Sequence, residues 1–243
     1  MSDGIWSALS GAVAQQRALD VTANNVANAG TAGYRADRVS FGEALSRAQG
    51  GGRAPDALRF VGVSQVRYDP TSGSIRRTGN PLDLALQGDG FFAIDTPAGV
   101  RYTRAGAFKL DAGGTLRTSD GHALAGTAGA IMLPAEAASV TIASDGTVAA
   151  DGQEVGRIRV VRFESPDGIR KVGASFFEAL AGAVPIETEE TQIVQGHLES
   201  SNVNAVAGMN ELVSISRSFE AFQKVIQAFR QLDERTARDV GSR

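Results

Sequence analysis

Two heptad stripes, one at each end of the chain, set the terms for everything between them. Near the start, Ile5, Leu9, Ala12, Gln16, Leu19, Ala23 and Val26 are spaced 4, 3, 4, 3, 4, 3. Near the end, Ala205, Gly208, Leu212, Ile215, Phe219, Phe222, Ile226 and Phe229 are spaced 3, 4, 3, 4, 3, 4, 3. A mean spacing of about 3.5 residues is the seam of helices that pack along their length. A chain with such ends either folds back as a helical hairpin that closes one monomer, or offers both helices to other copies.

The two stripes sit on unlike helices. From Gly4 to Tyr34 the only charged residues are Arg17 and Asp20. A helix on solvent normally shows a charged face, so this one expects burial on several sides. Asn24, Asn25 and Asn28 add to the puzzle, because asparagine favours caps and turns over helix interiors. Gly30 is placed to end the helix as a C′ residue. The C-terminal helix has Asn204 as its N-cap and a charged outer face, with Glu220–Lys224 and Glu234–Arg238 as i,i+4 pairs. A hairpin accounts for one seam on each helix and leaves the rest of the first uncovered, which points to other copies or related chains.

Between the ends the period changes. Residues 46–59 hold a glycine triplet and a proline and read as a loop. From Phe60 to about Gln195, short alternating runs such as "LDLAL" (82–86), "SVTIA" (139–143) and "GRIRVVRF" (156–163) read as strands. Asp-Gly pairs at 89–90, 120–121, 145–146, 151–152 and 167–168 mark hairpin turns. The expected fold is α+β: paired, coiled-coil-like N- and C-terminal helices with an inserted all-β domain. The segments are a helix at 1–33, a linker at 34–78, a β domain at 79–195 and a second helix at 196–243.

Composition narrows function. The chain has 243 residues, a net charge of −3 and no cysteine. It carries no basic footprint for nucleic acid, and no apolar run approaches a membrane span. The start, "MSDGIWSALSG", lacks the basic and apolar regions of a cleavable signal peptide. His122 and His197 lie in different segments with no cysteine to complete a zinc site, and each reads as a local structural residue. "DGTVAADG" (145–152) lacks the ligand spacing of a calcium loop. "GDGFF" lacks the strand and helix of a nucleotide site. Asp83, Asp89 and Asp95 read as solvated or capping carboxylates sooner than a hydrolase pair. No catalytic, cofactor-binding or metal residue is assigned, and no small-molecule substrate is expected.

Three blocks carry a resemblance. "ALSGAVAQQRALDVTANNVANAGTAGYR" (8–35) resembles the N-terminal signature of the flagellar basal-body rod and hook family. "LDLALQGDGFFAI" (82–94) with "RYTRAGAFKLDAGGTLRTSDGHALAG" (101–126) resembles its central block, and "LESSNVNAVAGMNELV" (198–213) its C-terminal block. Ala32 stands where the family is expected to have proline. The length lies between the shortest rod proteins and the hook proteins, and the tail 216–241 looks closer to the proximal than to the distal rod type. The resemblance implies a structural axial subunit, exported unfolded by the flagellar type III apparatus without a cleaved signal. It would stack with copies of itself and other rod subunits into the periplasmic shaft that transmits torque. The assembly residues implied are Ile5, Leu9, Leu19, Asn24, Asn25, Val26, Asn28, Leu212, Ile215, Phe219, Phe222, Ile226 and Phe229. The asparagines would fix register against neighbours, or else form a polar stripe toward channel or solvent. The competing readings are a β-domain hydrolase whose helices dimerise, and a carbohydrate- or protein-binding module.

Overall fold

The computed structural model describes residues 2–46, 58–134, 136–137, 139–188 and 190–241. The central part of the loop expected at 46–59 lies outside these residues. The chain divides into two compact units. One holds Met1–Ala27, Asp37–Arg67 and Asn204–Arg243; the other holds Asn28–Ala36 and Tyr68–Val203.

The first unit contains helix α1 (Ser2–Ala27), helix α2 (Ala205–Gly241) and a two-stranded sheet of Asp37–Ser46 with Leu58–Tyr68, whose last residue belongs to the other unit. The helices pack antiparallel. Gly4 faces the Phe229 ring, Gly11 faces the Phe222 ring, and Val26 reaches Gly208. On α2, every member of the expected stripe from Ala205 to Phe229 is half-buried. On α1, the inner face lies one residue away from the expected stripe. Gly4, Ala8, Gly11, Gln15, Ala18, Thr22 and Asn25 run along it, with Ala8, Gly11, Ala18 and Thr22 buried. Leu9, Gln16 and Ala23 are exposed. The physical reason is volume. Phenylalanine rings on α2 need space, and α1 offers glycine and alanine to them while its larger residues turn aside.

The end of α1 also differs from expectation. The helix stops at Ala27, and Gly30 has no left-handed backbone. Thr31 closes the turn, donating its N–H to the Asn28 carbonyl (3.1 Å) and its hydroxyl to Asn28 Oδ1 (3.2 Å). The left-handed residue is Gly33 (φ 68°), where a Cβ would lie 2.3 Å from the Ala105 backbone nitrogen. Only glycine fits both the dihedral and the space. At α2 the expected cap is present: the Ala207 N–H donates to Asn204 Oδ1 at 3.0 Å.

The second unit is antiparallel β throughout. A ten-stranded sheet is centred on Phe91–Thr96, which pairs with Gly99–Thr103, Ala123–Gly126 and Val160–Arg162. Its side chains alternate between two apolar clusters. Phe92 and Ile94 join Leu84, Phe108, Leu116, Leu124, Val148 and Ile158, while Phe91 and Ala93 join Tyr102, Val161, Ile169 and Phe177. Burial on both faces explains why this strand reads as a continuous apolar run. A meander of Val140–Ile142, Thr147–Ala150 and Gln153–Arg157 follows. Its second hairpin turns through Asp151 (φ 49°) and Gly152 (φ 83°), the two left-handed residues a two-residue hairpin requires. Two late strands return to early ones: Gln192–Gln195 pairs with Leu84–Gln87, and His197–Glu199 with Ile75–Arg77.

Candidate assembly site

The segment after α1 and the segment before α2 are bound to each other inside the β unit. Glu199, 1% exposed, is the centre. Its carboxylate pairs with Arg35 Nη1 (2.5 Å) and Arg104 Nη1 (3.3 Å), and accepts the Gly73 N–H at 2.9 Å. Its carbonyl accepts the Gly33 N–H at 2.8 Å. Arg104 also donates to the Leu86 and Gly88 carbonyls. One turn on, Asn202 Oδ1 accepts the Ala36 N–H (2.7 Å), and its amide donates to the Thr71 carbonyl (2.9 Å). Tyr34 is fully buried, and Lys171 Nζ lies 3.6 Å from its ring centre while donating to the Arg35 carbonyl.

The electrostatics follow from burial. Desolvation lowers the pKa of Arg104, and the neighbouring Glu199 carboxylate opposes the shift. Burial pushes the Tyr68 phenol up to about 12, against the pull of Arg35 and Arg104. A buried charge persists when it is paired and hydrogen-bonded on most sides. Arg35, Arg104 and Glu199 fall in the N-terminal, central and C-terminal blocks quoted above, so the three blocks meet at one point. The sequence reading passed over these residues because each looks like an ordinary surface charge.

The second part of the site is on the helices. With their inner faces occupied, α1 still exposes Trp6 (54%), Leu9 (41%) and Val13 (52%), and α2 exposes Val206, Met209 and Val213. Spacings of 3 and 4 put each trio on one helix face. Of the residues expected at the assembly interface, Leu9 and Asn24 are exposed, while Ile5, Leu19, Asn25, Val26 and Asn28 are half-buried. Leu212, Ile215, Phe219, Phe222, Ile226 and Phe229 are half-buried on the inner side of α2. Asn25 has work inside the chain, donating to the Asp37 carbonyl and accepting the Asp37 N–H, both at 2.8 Å. Trp6, Val13, Val206, Met209 and Val213 were not anticipated, since a single-stripe reading of each helix overlooks a second stripe on its outside.

The two histidines have local surroundings. His122 stacks edge-on to Phe176 (5.8 Å between centres), and its backbone N–H donates to the Thr118 hydroxyl. His197 sits in its strand with Nδ1 2.8 Å from the Gln195 carbonyl. Asp83 is buried, and its carboxylate accepts from the Asn80 amide. Among the described residues no helix is long and apolar enough to cross a membrane.

Three family descriptions match in chain order: "Flagella basal body rod protein" at residues 5–35, "Flagellar hook protein FlgE/F/G D1 domain" at 85–150, and "Flagellar basal body rod FlgEFG protein C-terminal" at 194–239. The chain is 34% identical to the flagellar basal-body rod protein FlgF of Mesorhizobium japonicum, over 100% of both chains. The chain belongs to the family of flagellar basal-body rod proteins. Other rod proteins are as similar: FlgG of Bacillus subtilis at 36% (93% of this chain, 94% of that one) and FlgF of Escherichia coli at 36% (94% of each). As a rod subunit its work is structural.

Proposed function

We propose that the two helices are the assembly element of this rod subunit, pairing within the chain in a coiled-coil-like hairpin and binding neighbouring subunits through their outer faces. The observation that carries this reading is the exposure of Trp6, Leu9 and Val13 on one helix and Val206, Met209 and Val213 on the other, after the inner faces are filled. In an antiparallel pair these trios lie toward opposite ends, roughly 20 Å apart at about 1.5 Å per residue. Different surfaces at opposite ends suit a head-to-tail contact, the kind that builds a helical shaft. Each large side chain covered contributes about 1.5–3 kcal/mol, so several neighbours together hold helices that are marginal alone.

The partners in this reading are copies of the chain and other rod subunits. The site of action is the periplasmic rod of the basal body, reached without a cleaved signal. Identities to FlgF and FlgG relatives are even, so assignment to the proximal rod rests on the tail 216–241. A proximal subunit is a junction, and its count per basal body should be near one helical turn.

The test is Leu9→Asp and Met209→Asp, each made in a motile host and as purified protein. Both variants are expected to lose swimming and rod incorporation while the β unit keeps its thermal transition. Normal swimming with both would overturn the outer-face reading. Many stacked turns of the chain in a density map of the shaft would overturn the junction reading.

A further inference from the structure

Seven layers run along the helix pair. On α1 they are Gly4, Ala8, Gly11, Gln15, Ala18, Thr22 and Val26; on α2, in reverse order, Phe229, Ile226, Phe222, Phe219, Ile215, Leu212 and Gly208. Both series step by four and three. A heptad repeat alone does not choose a register, because a slide of seven residues restores the pattern. Three contacts in this pair do not survive such a slide.

We infer that Gly4 and Gly11 on α1, with Gly208 on α2, are the residues that select the register of the helix pair. A Cβ on Gly11 would lie 2.6 Å from the Phe222 ring, and one on Gly4 would lie 2.8 Å from the Phe229 ring. At the far end the sizes are reversed: a Cβ on Gly208 would lie 2.6 Å from Val26 Cγ2. These distances are below ordinary van der Waals contact, so each glycine seats a larger residue that alanine would displace. A slide of seven in one direction keeps Phe229 on Gly11 but puts Phe222 on Ala18, whose methyl is the atom the observed spacing excludes. A slide in the other direction puts Phe222 on Gly4 but leaves only Ile215 over Gly11. It also carries Val26 past the capped start of α2 at Ala205, away from Gly208. Only the observed register fills all three sites.

The glycines are otherwise hard to account for. Gly11, in the interior of α1, weakens the helix by about 1 kcal/mol relative to alanine. All three persist where a ring or a valine methyl takes the place of the missing Cβ. The consequence is geometric, since a slide of seven residues would move one outer apolar trio relative to the other by roughly 10 Å. The inference concerns the helix pair alone and holds whether or not the outer faces bind rod neighbours.

The chain has no cysteine, so an introduced pair is unambiguous. Gln15→Cys is combined in the full-length chain with Phe219→Cys, which reports the observed register, or with Leu212→Cys or Ile226→Cys, which report the two slides. Disulfide yield is read by mass spectrometry after thiol–disulfide equilibration. The parent background is expected to cross-link to position 219 almost alone. Gly4→Leu with Gly11→Leu introduces better helix formers, yet should lower that yield by about tenfold or more, the order expected of an overpacked seam. Adding Phe222→Ala and Phe229→Ala reverses the sizes and should restore it. The inference is supported whether the lost yield moves to 212 or 226 or disappears from all three positions, provided the size reversal restores it. An unchanged yield at 219 in the leucine background overturns it, as does a loss that the reversal leaves in place.

Discussion

Glu199 and Phe222 lie in different units of the same chain and are held in different ways. Glu199 is 1% exposed and has two arginines, a backbone N–H and a returning strand around it, all from the β unit. Phe222 stays half-buried, with the missing Cβ of Gly11 as its seat. The β unit gathers its buried charges around one carboxylate, and its apolar strand is covered on both faces. Both units leave some large apolar residues outside, but on the helices they gather as a trio along one face of each. The first arrangement is a core covered on both faces; the second is a filled seam with apolar trios on its outer faces.

The largest effect is expected from removing the carboxylate at the centre of the β unit. Glu199→Ala strands two buried guanidinium groups and should cost the β unit about 3–5 kcal/mol, as expected when one partner of a buried ion pair is deleted. Chemical denaturation followed by the β signal measures it. A loss under about 1 kcal/mol would mean that water or other acceptors replace the carboxylate easily. Phe222→Ala in the same assay should leave the β transition where it is.

A smaller effect is expected from limited proteolysis of the dilute chain. Cuts should fall first in α1 and α2, leaving a fragment close to residues 28–203, because local opening is easiest where few apolar contacts must be broken. Equal protection of α1 would show that the helix pair is as self-sufficient as the β unit.

The smallest effect concerns acid. Hydrogen bonds from Arg170 and then Arg101 hold the Glu178 carboxyl below its usual range; Arg117 does the same for Asp111, and the Thr147 N–H for Asp145. A carboxyl whose folded pKa is depressed stabilises the fold above its unfolded pKa, and that contribution is lost as pH falls through the folded value. The β unit should therefore lose a modest amount of stability from about pH 4.5 downward, the range in which free carboxyl groups titrate. These groups are near the surface, so high salt should shrink the effect. A flat stability profile across that range would remove the three carboxylates from the account.

Much of this was legible in the sequence because the forces involved are local. The α2 stripe, the Asn204 cap, the Asp151–Gly152 hairpin and the alternating strands each follow from residues a few positions apart. The inner face of α1 was displaced by one because the stripe was traced through Ile5, Leu9 and Leu19, the larger residues. Packing selected Gly4, Ala8, Gly11 and Ala18, and that choice depends on rings some two hundred residues away. Gly30 looked like a helix stop, but the left-handed position fell to Gly33, where the Arg104–Ala105 backbone leaves no room for a Cβ. Arg35, Arg104 and Glu199 lie in three separate sequence blocks and meet only in the folded chain. Nothing in one charged residue announces a partner so far along the chain.

The returning strands also bear on when this chain can fold. Gln192–Gln195 and His197–Glu199 supply partners for Leu84–Gln87 and Ile75–Arg77. Until residues near 199 are free, two early strands have open edges, Ile193 is missing from the core, and Arg35 and Arg104 lack their carboxylate. Pairings across more than about a hundred residues form slowly, because the intervening chain must be ordered before the contacts reward it. A chain that emerges from a narrow passage with its N-terminus first would thus stay pliable for most of its transit. It would close only once residues near 199, about four-fifths of the way along, had cleared the exit.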